Sequence, residues 1–216
     1  MKKFKAVFFD LDGTLVRTME AYFEAWKSAY ADFGFSIESS DYYPLEGMEA
    51  KELAKTLCIK YGVGEQNIEK IVERKKDYFM KIFSGHHAEL YPGVANVLDA
   101  LVLNKIPIAL VTASVKEQVM VSATEEFLKK FTVLVTGEIA GRGKPYPDPY
   151  LKGAELLGVN PEECAGVENA SLGIKSVKSA GMYCFAVAHT VSEEKLKEAD
   201  IILPVFEELS KFFQYK

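Results

Sequence analysis

The apolar run Ala6-Val7-Phe8-Phe9 stops at Asp10, and a second carboxylate follows at Asp12, just ahead of Gly13 and Thr14. An unbroken apolar run ahead of such a stop predicts a strand buried on both faces, as in parallel sheets. A strand that ends in a carboxylate delivers it to the carboxyl edge of the sheet, where open α/β folds bind ligands. Strand side chains alternate, so Asp10 and Asp12 begin on the same side. Two carboxylates that close repel, and both stay useful only if a cation sits between them or one keeps a proton. Taken alone, Asp-Gly-Thr is also ordinary turn chemistry after a strand.

Beyond Leu15 the hydrophobic period turns helical. Tyr22, Phe23, Trp26, Ala29, Tyr30 and Phe33 recur at three and four, with Gly34 as a stop. A second helix fits residues 50–61, closed by Gly62, and a third fits 65–83. The third carries Glu73-Arg74-Lys75-Lys76-Asp77, read as a solvated helix face. No strand pattern occurs between Val16 and His87, so an all-helical insert follows directly on the first strand. His86 and His87 sit at its end and read as surface residues.

After Leu90-Tyr91-Pro92-Gly93 strands and helices alternate: helices at 94–103, 115–127, 150–157 and 172–180, strands at 106–111, 132–135, 164–167, 183–187 and 201–203. Alternation of this kind implies a parallel sheet with helices on both faces. The expected architecture is an α/β, doubly wound, mainly parallel Rossmann-like core with an inserted all-helical cap domain. Residues 1–15 and 92–216 form the core and 16–91 the cap, with hinges near Val16 and at 88–92.

The 216 residues, 49% hydrophobic and 12% aromatic, supply ample core. A net charge of -5 argues against a nucleic-acid partner, which would want a basic face. No apolar run approaches a membrane span, and the basic start is followed by an apolar run that Asp10 and Asp12 interrupt, a poor signal peptide. Cys58, Cys164 and Cys184 are odd in number and lack metal-type spacing, which fits buried free thiols and a cytoplasmic setting.

Four stretches in order carry a resemblance: Asp10-Leu11-Asp12-Gly13-Thr14-Leu15, Val111-Thr112-Ala113-Ser114, Gly143-Lys144-Pro145-Tyr146-Pro147-Asp148-Pro149, and Gly166-Val167-Glu168-Asn169 followed by Ser171 and Gly173. Together they resemble the haloacid dehalogenase-like hydrolase superfamily, in the phosphatase and β-phosphoglucomutase branch with a helical cap. The resemblance spans nearly the whole chain and implies phosphoryl transfer. Asp10 is then the nucleophile that forms an aspartyl-phosphate. Asp12 is the general acid and base, its pKa raised by its neighbour. Thr112 and the Ala113 N–H donate to phosphoryl oxygens, and Lys144 offsets their charge. Lys144 precedes a proline and so belongs in a loop. The Gly137 to Lys144 stretch lacks P-loop spacing, and Pro145 stands where Ser or Thr is needed.

The resemblance also implies Mg²⁺, held by Asp10, the Asp12 carbonyl, Glu168 and Asn169. The chain departs from the family here, because Asn169 stands where a second acidic residue is usual, which predicts weaker metal binding. Tyr22, Glu46 and Gly47 are the expected cap contacts to substrate, and an acidic Glu46 disfavours a second phosphate. The implied activity is Mg²⁺-dependent hydrolysis of a small, sugar-type phosphomonoester, in a monomer or weak homodimer with no nucleic-acid or membrane partner. The alternatives are a β-phosphoglucomutase-like phosphomutase and a non-catalytic domain that binds phosphorylated ligands. Asp12 argues against dehalogenation, since many dehalogenases of the superfamily lack it.

Overall fold

The structure is a computed structural model that describes residues 3–213. Six strands, β1 (Ala6–Phe9), β2 (Ile108–Val111), β3 (Val133–Val135), β4 (Cys164–Glu168), β5 (Tyr183–Val187) and β6 (Ile201–Leu203), form one sheet in the order β3-β2-β1-β4-β5-β6. Every neighbouring pair is parallel. The chain winds outward from β1 to β3 and then returns to β4 on the other side of β1. The loops leaving β1 and β4 therefore flank the switch point, where doubly wound sheets open a crevice.

The helices, in chain order, are α1 (Met19–Ala31), α2 (Ser39–Tyr42), α3 (Ala50–Tyr61), α4 (Ile68–Ile82), α5 (Val94–Leu103), α6 (Lys116–Ser122), α7 (Glu125–Leu128), α8 (Asp148–Leu157) and α9 (Ser171–Ser179). Strand β1 is buried on both faces, as its composition requires. Val7 and Phe9 pack with Val97 and Leu101 of α5 and with Phe206. Ala6 and Phe8 pack on the opposite side with Tyr150 of α8 and Val177 of α9. Helices α1, α3 and α4 build a third core of their own, in which Trp26 and Tyr30 meet Leu57, Ile71 and Phe79. The two crossings between this helical layer and the sheet hydrogen-bond to each other: Arg17 N–H donates to Glu89 O (2.8 Å) and Tyr91 N–H to Leu15 O (3.0 Å). At its other end the layer touches the core where the Met48 backbone bridges to Lys144.

Several expectations need correction. The helix expected over 115–127 is two, α6 and α7, because Thr124 breaks it and caps the second by accepting from Phe127 N–H at 3.1 Å. The helix expected over 65–83 begins as a 3₁₀ turn, Glu65–Asn67. Neither α2 nor the 3₁₀ turn Phe206–Phe212 was foreseen. Lys75 does not lie on a solvated face; it is 5% exposed. Its spacing explains why, since Ile71, Lys75 and Phe79 stand four apart on the buried side of α4. The three cysteines are free and buried. No described helix is long and apolar enough to cross a membrane.

Helix α9 lies close enough to β4 that a Cβ on Gly166 would stand 2.6 Å from Cγ2 of Val177. Overpacking of such a contact costs about 1–3 kcal/mol. Gly166→Ala should therefore lower the urea midpoint of unfolding while leaving the slope unchanged, and an unshifted midpoint would show that α9 can give way.

Candidate active site

The turn after β1 is the base of the site. Gly13 holds φ at +79°, and a Cβ there would collide with the Asn169 amide and Met19, so the first and fourth motifs can meet only across a glycine. Asp10, 5% exposed, is fixed from two sides: Lys144 Nζ lies 2.6 Å from Oδ1, and the Thr14 hydroxyl donates to Oδ2 at 2.8 Å. Lys144 is itself buried in the connection between β3 and α8, and its ammonium also meets Glu168 Oε1 at 2.6 Å and Val111 O at 3.3 Å. Burial works against the ammonium, but the charges of Asp10 and Glu168 outweigh it and hold Lys144 above the ordinary lysine value.

Glu168 accepts from the Tyr150 hydroxyl (2.6 Å) through Oε1, while Oε2 takes the Asn169 N–H (3.2 Å). Burial pushes its carboxyl upward, with Lys144 opposing. Gly173 leaves room for this carboxylate, which a Cβ there would strike. Asn169 turns its amide oxygen inward to accept from the Thr14 hydroxyl (3.0 Å) and anchors its amide nitrogen on Thr190 Oγ1 (3.0 Å).

Asp12 is held by three hydroxyls: Thr18 donates to Oδ1 (2.8 Å), and Ser114 (2.7 Å) and Thr112 (3.1 Å) donate to Oδ2. Burial first, then the charge of Asp10, pushes the Asp12 carboxyl above the ordinary aspartate value, and the hydroxyls pull it part of the way back. The Tyr22 hydroxyl meets Ser114 Oγ at 2.7 Å, which links α1 to Asp12 through one intermediary.

Asp10, Asp12, Tyr22, Glu46, Gly47, Thr112, Ala113, Glu168 and Asn169 all line one cavity of about 180 Å³. Lys144 borders a smaller adjoining recess with Thr112 and Ala113. Every site residue expected from the sequence is thus brought to the carboxyl edge of β1, β2 and β4 or to the layer above it. Other residues there carried no role in that reading: Thr18, Lys75, Ser114, Gln118, Tyr150, His189 and Thr190. His189 and Thr190 follow β5 at the same edge. His189 Nε2–H donates to Gly13 O at 2.7 Å while its ring stacks on Tyr91 with centroids 3.7 Å apart. Position just past a strand end was the available signal for this pair, and the spacing of four from Ile71 and Phe79 was the signal for Lys75.

The donors suit a hard divalent cation that keeps much of its water. Among the described residues no three His, Cys, Asp or Glu side chains converge as a metal cage. Instead, an Asp10 carboxylate oxygen and the inward-facing Asn169 amide oxygen converge on the one Thr14 hydroxyl. One or two carboxylates with neutral oxygens is the donor set that Mg²⁺ accepts, because phosphate and water complete its shell.

A parallel sheet whose switch point carries an Asp-x-Asp-Gly-Thr turn, under a helical layer inserted after the first strand, defines a class of α/β hydrolases. Residues 7–187 match the family described as haloacid dehalogenase-like hydrolase, and the chain belongs to it. It is 32% identical over 188 residues to the β-phosphoglucomutase of Bacillus subtilis (85% of this chain, 83% of that one). It is 31% identical over 206 residues to hexitol phosphatase A of Escherichia coli (95% and 93%). A crystal structure of β-phosphoglucomutase from Clostridium difficile superposes with a TM-score of 0.84 at 26% identity, covering 95% of this chain and 93% of that one.

One side chain in the cavity carries a stability cost that pH exposes. Burial pulls Lys75 from 10.5 down to about 7, with the charge of Asp12 opposing, and its ammonium rests 4.3 Å from the Tyr22 ring centroid. A lysine whose folded pKa is depressed stabilises the fold above its unfolded value, and that support is lost as pH falls through the folded value. Lys75→Met should thus be more stable than the parent at pH 6 by a few kcal/mol, with the gap closing by pH 10.5. Urea titrations at both pH values measure it; a gap that does not depend on pH would mean that the buried amine keeps its charge.

Proposed function

We propose that this chain hydrolyses small phosphomonoesters through an aspartyl-phosphate on Asp10, with Mg²⁺ as cofactor. The observation that carries the reading is Asp10 itself, a buried carboxylate held in one orientation by Lys144 and Thr14 at the floor of a cavity. In the first step an Asp10 oxygen bonds to phosphorus as the ester oxygen leaves, and Asp12 gives that oxygen its proton. In the second step Asp12 takes a proton from the water that attacks the phosphorus, and Asp10 is released. An upward-shifted Asp12 suits both halves, since it must be protonated before the first and ionised before the second.

Thr112 now donates to Asp12, and its hydroxyl would turn to a phosphoryl oxygen when one arrives, alongside the Ala113 N–H. Lys144, in contact with Asp10, would offset the charge of the phosphoryl group. Asp10, the Asp12 carbonyl and Asn169 would hold Mg²⁺, with Oε2 of Glu168 within the same wall; when bound, the ion neutralises charge between carboxylate and phosphate. The helical layer, residues 16–91, acts as the cap that excludes water from the aspartyl-phosphate.

Phosphomutase activity is the second reading, favoured by the likeness to a Bacillus subtilis β-phosphoglucomutase. A mutase protects its aspartyl-phosphate from water and needs a bisphosphate activator. Steady turnover of p-nitrophenyl phosphate without such an activator supports the hydrolase, and a single burst supports the mutase. Asp10→Asn should lower kcat by at least about 10⁴-fold, the scale of losing a covalent nucleophile. Full activity in that variant would end both readings.

Asn169 contributes an oxygen without charge. Asn169→Asp should tighten Mg²⁺ binding about tenfold, as ligand charge tunes such sites. Calorimetric titration of the free protein with Mg²⁺ reads this independently of turnover, and unchanged affinity would place the ion away from residue 169.

A further inference from the structure

One histidine at the carboxyl edge of the sheet has no part in the steps above. His189 stands two residues beyond the end of β5 and is half-buried. Its Nε2 lies 2.7 Å from Gly13 O, and a carbonyl only accepts, so this nitrogen carries a proton whether the ring is neutral or charged. Burial holds the imidazole below the ordinary histidine value, with Gly13 O opposing and Arg17 assisting. Tyr91 fixes the plane of the ring, with centroids 3.7 Å apart and 9° between the planes. Arg17 Cζ in turn lies 5.2 Å from the centroid of the tyrosine ring. Arg17 and Tyr91 belong to the two crossings between the sheet and the helical layer, and each crossing gives the other an N–H. His189 is therefore the point where the hinge, the loop after β5 and the turn after β1 meet.

The carbonyl that His189 holds belongs to the most pliable residue of that turn. Gly13 has no side chain to restrain its torsions, so hydrogen bonds must do it. A peptide unit is planar, and the Gly13 carbonyl and the Thr14 N–H therefore turn together. On its other edge this plane is held by the Thr14 N–H to Leu11 O at 3.3 Å, beyond the ordinary range of such bonds. The bond from His189 is the shorter anchor of the two. What hangs from the plane is Thr14, whose single hydroxyl serves both Asp10 Oδ2 (2.8 Å) and Asn169 Oδ1 (3.0 Å). The residue after His189 holds the second of these partners from behind, because Thr190 Oγ1 accepts from the Asn169 amide nitrogen at 3.0 Å. Resting on the phosphatase reading, we propose that His189 is a positioning residue for the nucleophile. It fixes the Gly13–Thr14 peptide plane and, through the Thr14 hydroxyl, keeps the Asp10 carboxylate aimed at phosphorus. Tyr91 sets the angle of the imidazole, so the aim of Asp10 also depends on the chain that returns from the helical layer.

The test measures kcat and KM for p-nitrophenyl phosphate with Mg²⁺ in the full-length parent, His189→Phe, His189→Gln, Thr14→Val and the double variant of His189→Phe with Thr14→Val. Phenylalanine keeps a ring against Tyr91 and loses the donor; glutamine keeps an N–H at similar reach and loses the stack. His189→Phe should lower kcat about tenfold or more with KM changed by less than about threefold, since a small misplacement of a reacting group is felt mainly in the chemical step. His189→Gln should recover most of that loss. With Thr14→Val in place, His189→Phe should cost less than about twofold more, because both changes act through one contact. A loss of folded protein would multiply across the cycle instead of overlapping, which separates positioning from damage to the fold. Full multiplication in the double variant, His189→Gln as slow as His189→Phe, or a kcat in His189→Phe close to that of the parent each overturns the inference, while turnover by the parent leaves the phosphatase reading standing. A parent without turnover removes both.

Discussion

The ammonium of Lys144 between Asp10 and Glu168 is the contact on which the rest of the site depends. Three ionisable side chains lie nearly out of water, with both N–O distances at 2.6 Å. Burial of this kind is tolerable only when geometry and hydrogen bonds replace the lost hydration, and removal of one partner typically costs about 3–5 kcal/mol. The required replacements are present: Thr14 serves Asp10, Tyr150 and the Asn169 N–H serve Glu168, and Val111 O takes another proton of the ammonium. The sheet order makes this possible. Asp10 ends β1 and Glu168 ends the neighbouring β4, so one lysine from the far side of β3 reaches both. The same residue shares a backbone bridge with Met48, so the floor of the site is tied to the layer above it.

Floor and roof differ in how their polar groups are satisfied. On the floor nearly every carboxyl oxygen and hydroxyl has a partner within the protein, which fixes the reacting groups before any ligand arrives. In the roof both carboxyl oxygens of Glu46 lack a hydrogen-bond partner among the described residues, and the Lys75 ammonium rests on aromatic rings. The two layers communicate through Tyr22, Ser114 and Asp12, a chain of two short hydrogen bonds. A displacement of α1 away from the sheet would withdraw the Tyr22 hydroxyl from Ser114 and alter the surroundings of Asp12, the acid and base of the proposed mechanism.

The core was legible because its signals are local. The Phe8-Phe9-Asp10 stop, the glycine ending at Gly62 and the run Tyr183–Val187 each follow from a few adjacent residues, and β1, α3 and β5 match them in position. Asp10, Lys144 and Asn169 were legible as types in motifs, but their mutual distances depend on strand order, which no local pattern contains. Lys75 was misread because its neighbours Glu73, Arg74 and Asp77 set the character of the window, while its own direction is set by Ile71 and Phe79 four residues either side. His189 and Thr190 were invisible for another reason. Their partners, Gly13 and Asn169, lie 176 and 21 positions away.

Asn169 gains meaning against this background. An amide oxygen and a carboxylate oxygen share the Thr14 hydroxyl at 3.0 and 2.8 Å. With a carboxylate at position 169, two negative groups would crowd that single hydroxyl, and the arrangement would need a cation or a bound proton to hold together. The amide removes that repulsion and adds a donor to Thr190, so the turn after β1 and the turn after β4 stay locked whether or not an ion is bound. On the proposed reading, position 169 forgoes a charge that would attract Mg²⁺, while Asp10 is held in place by Thr14 and Lys144.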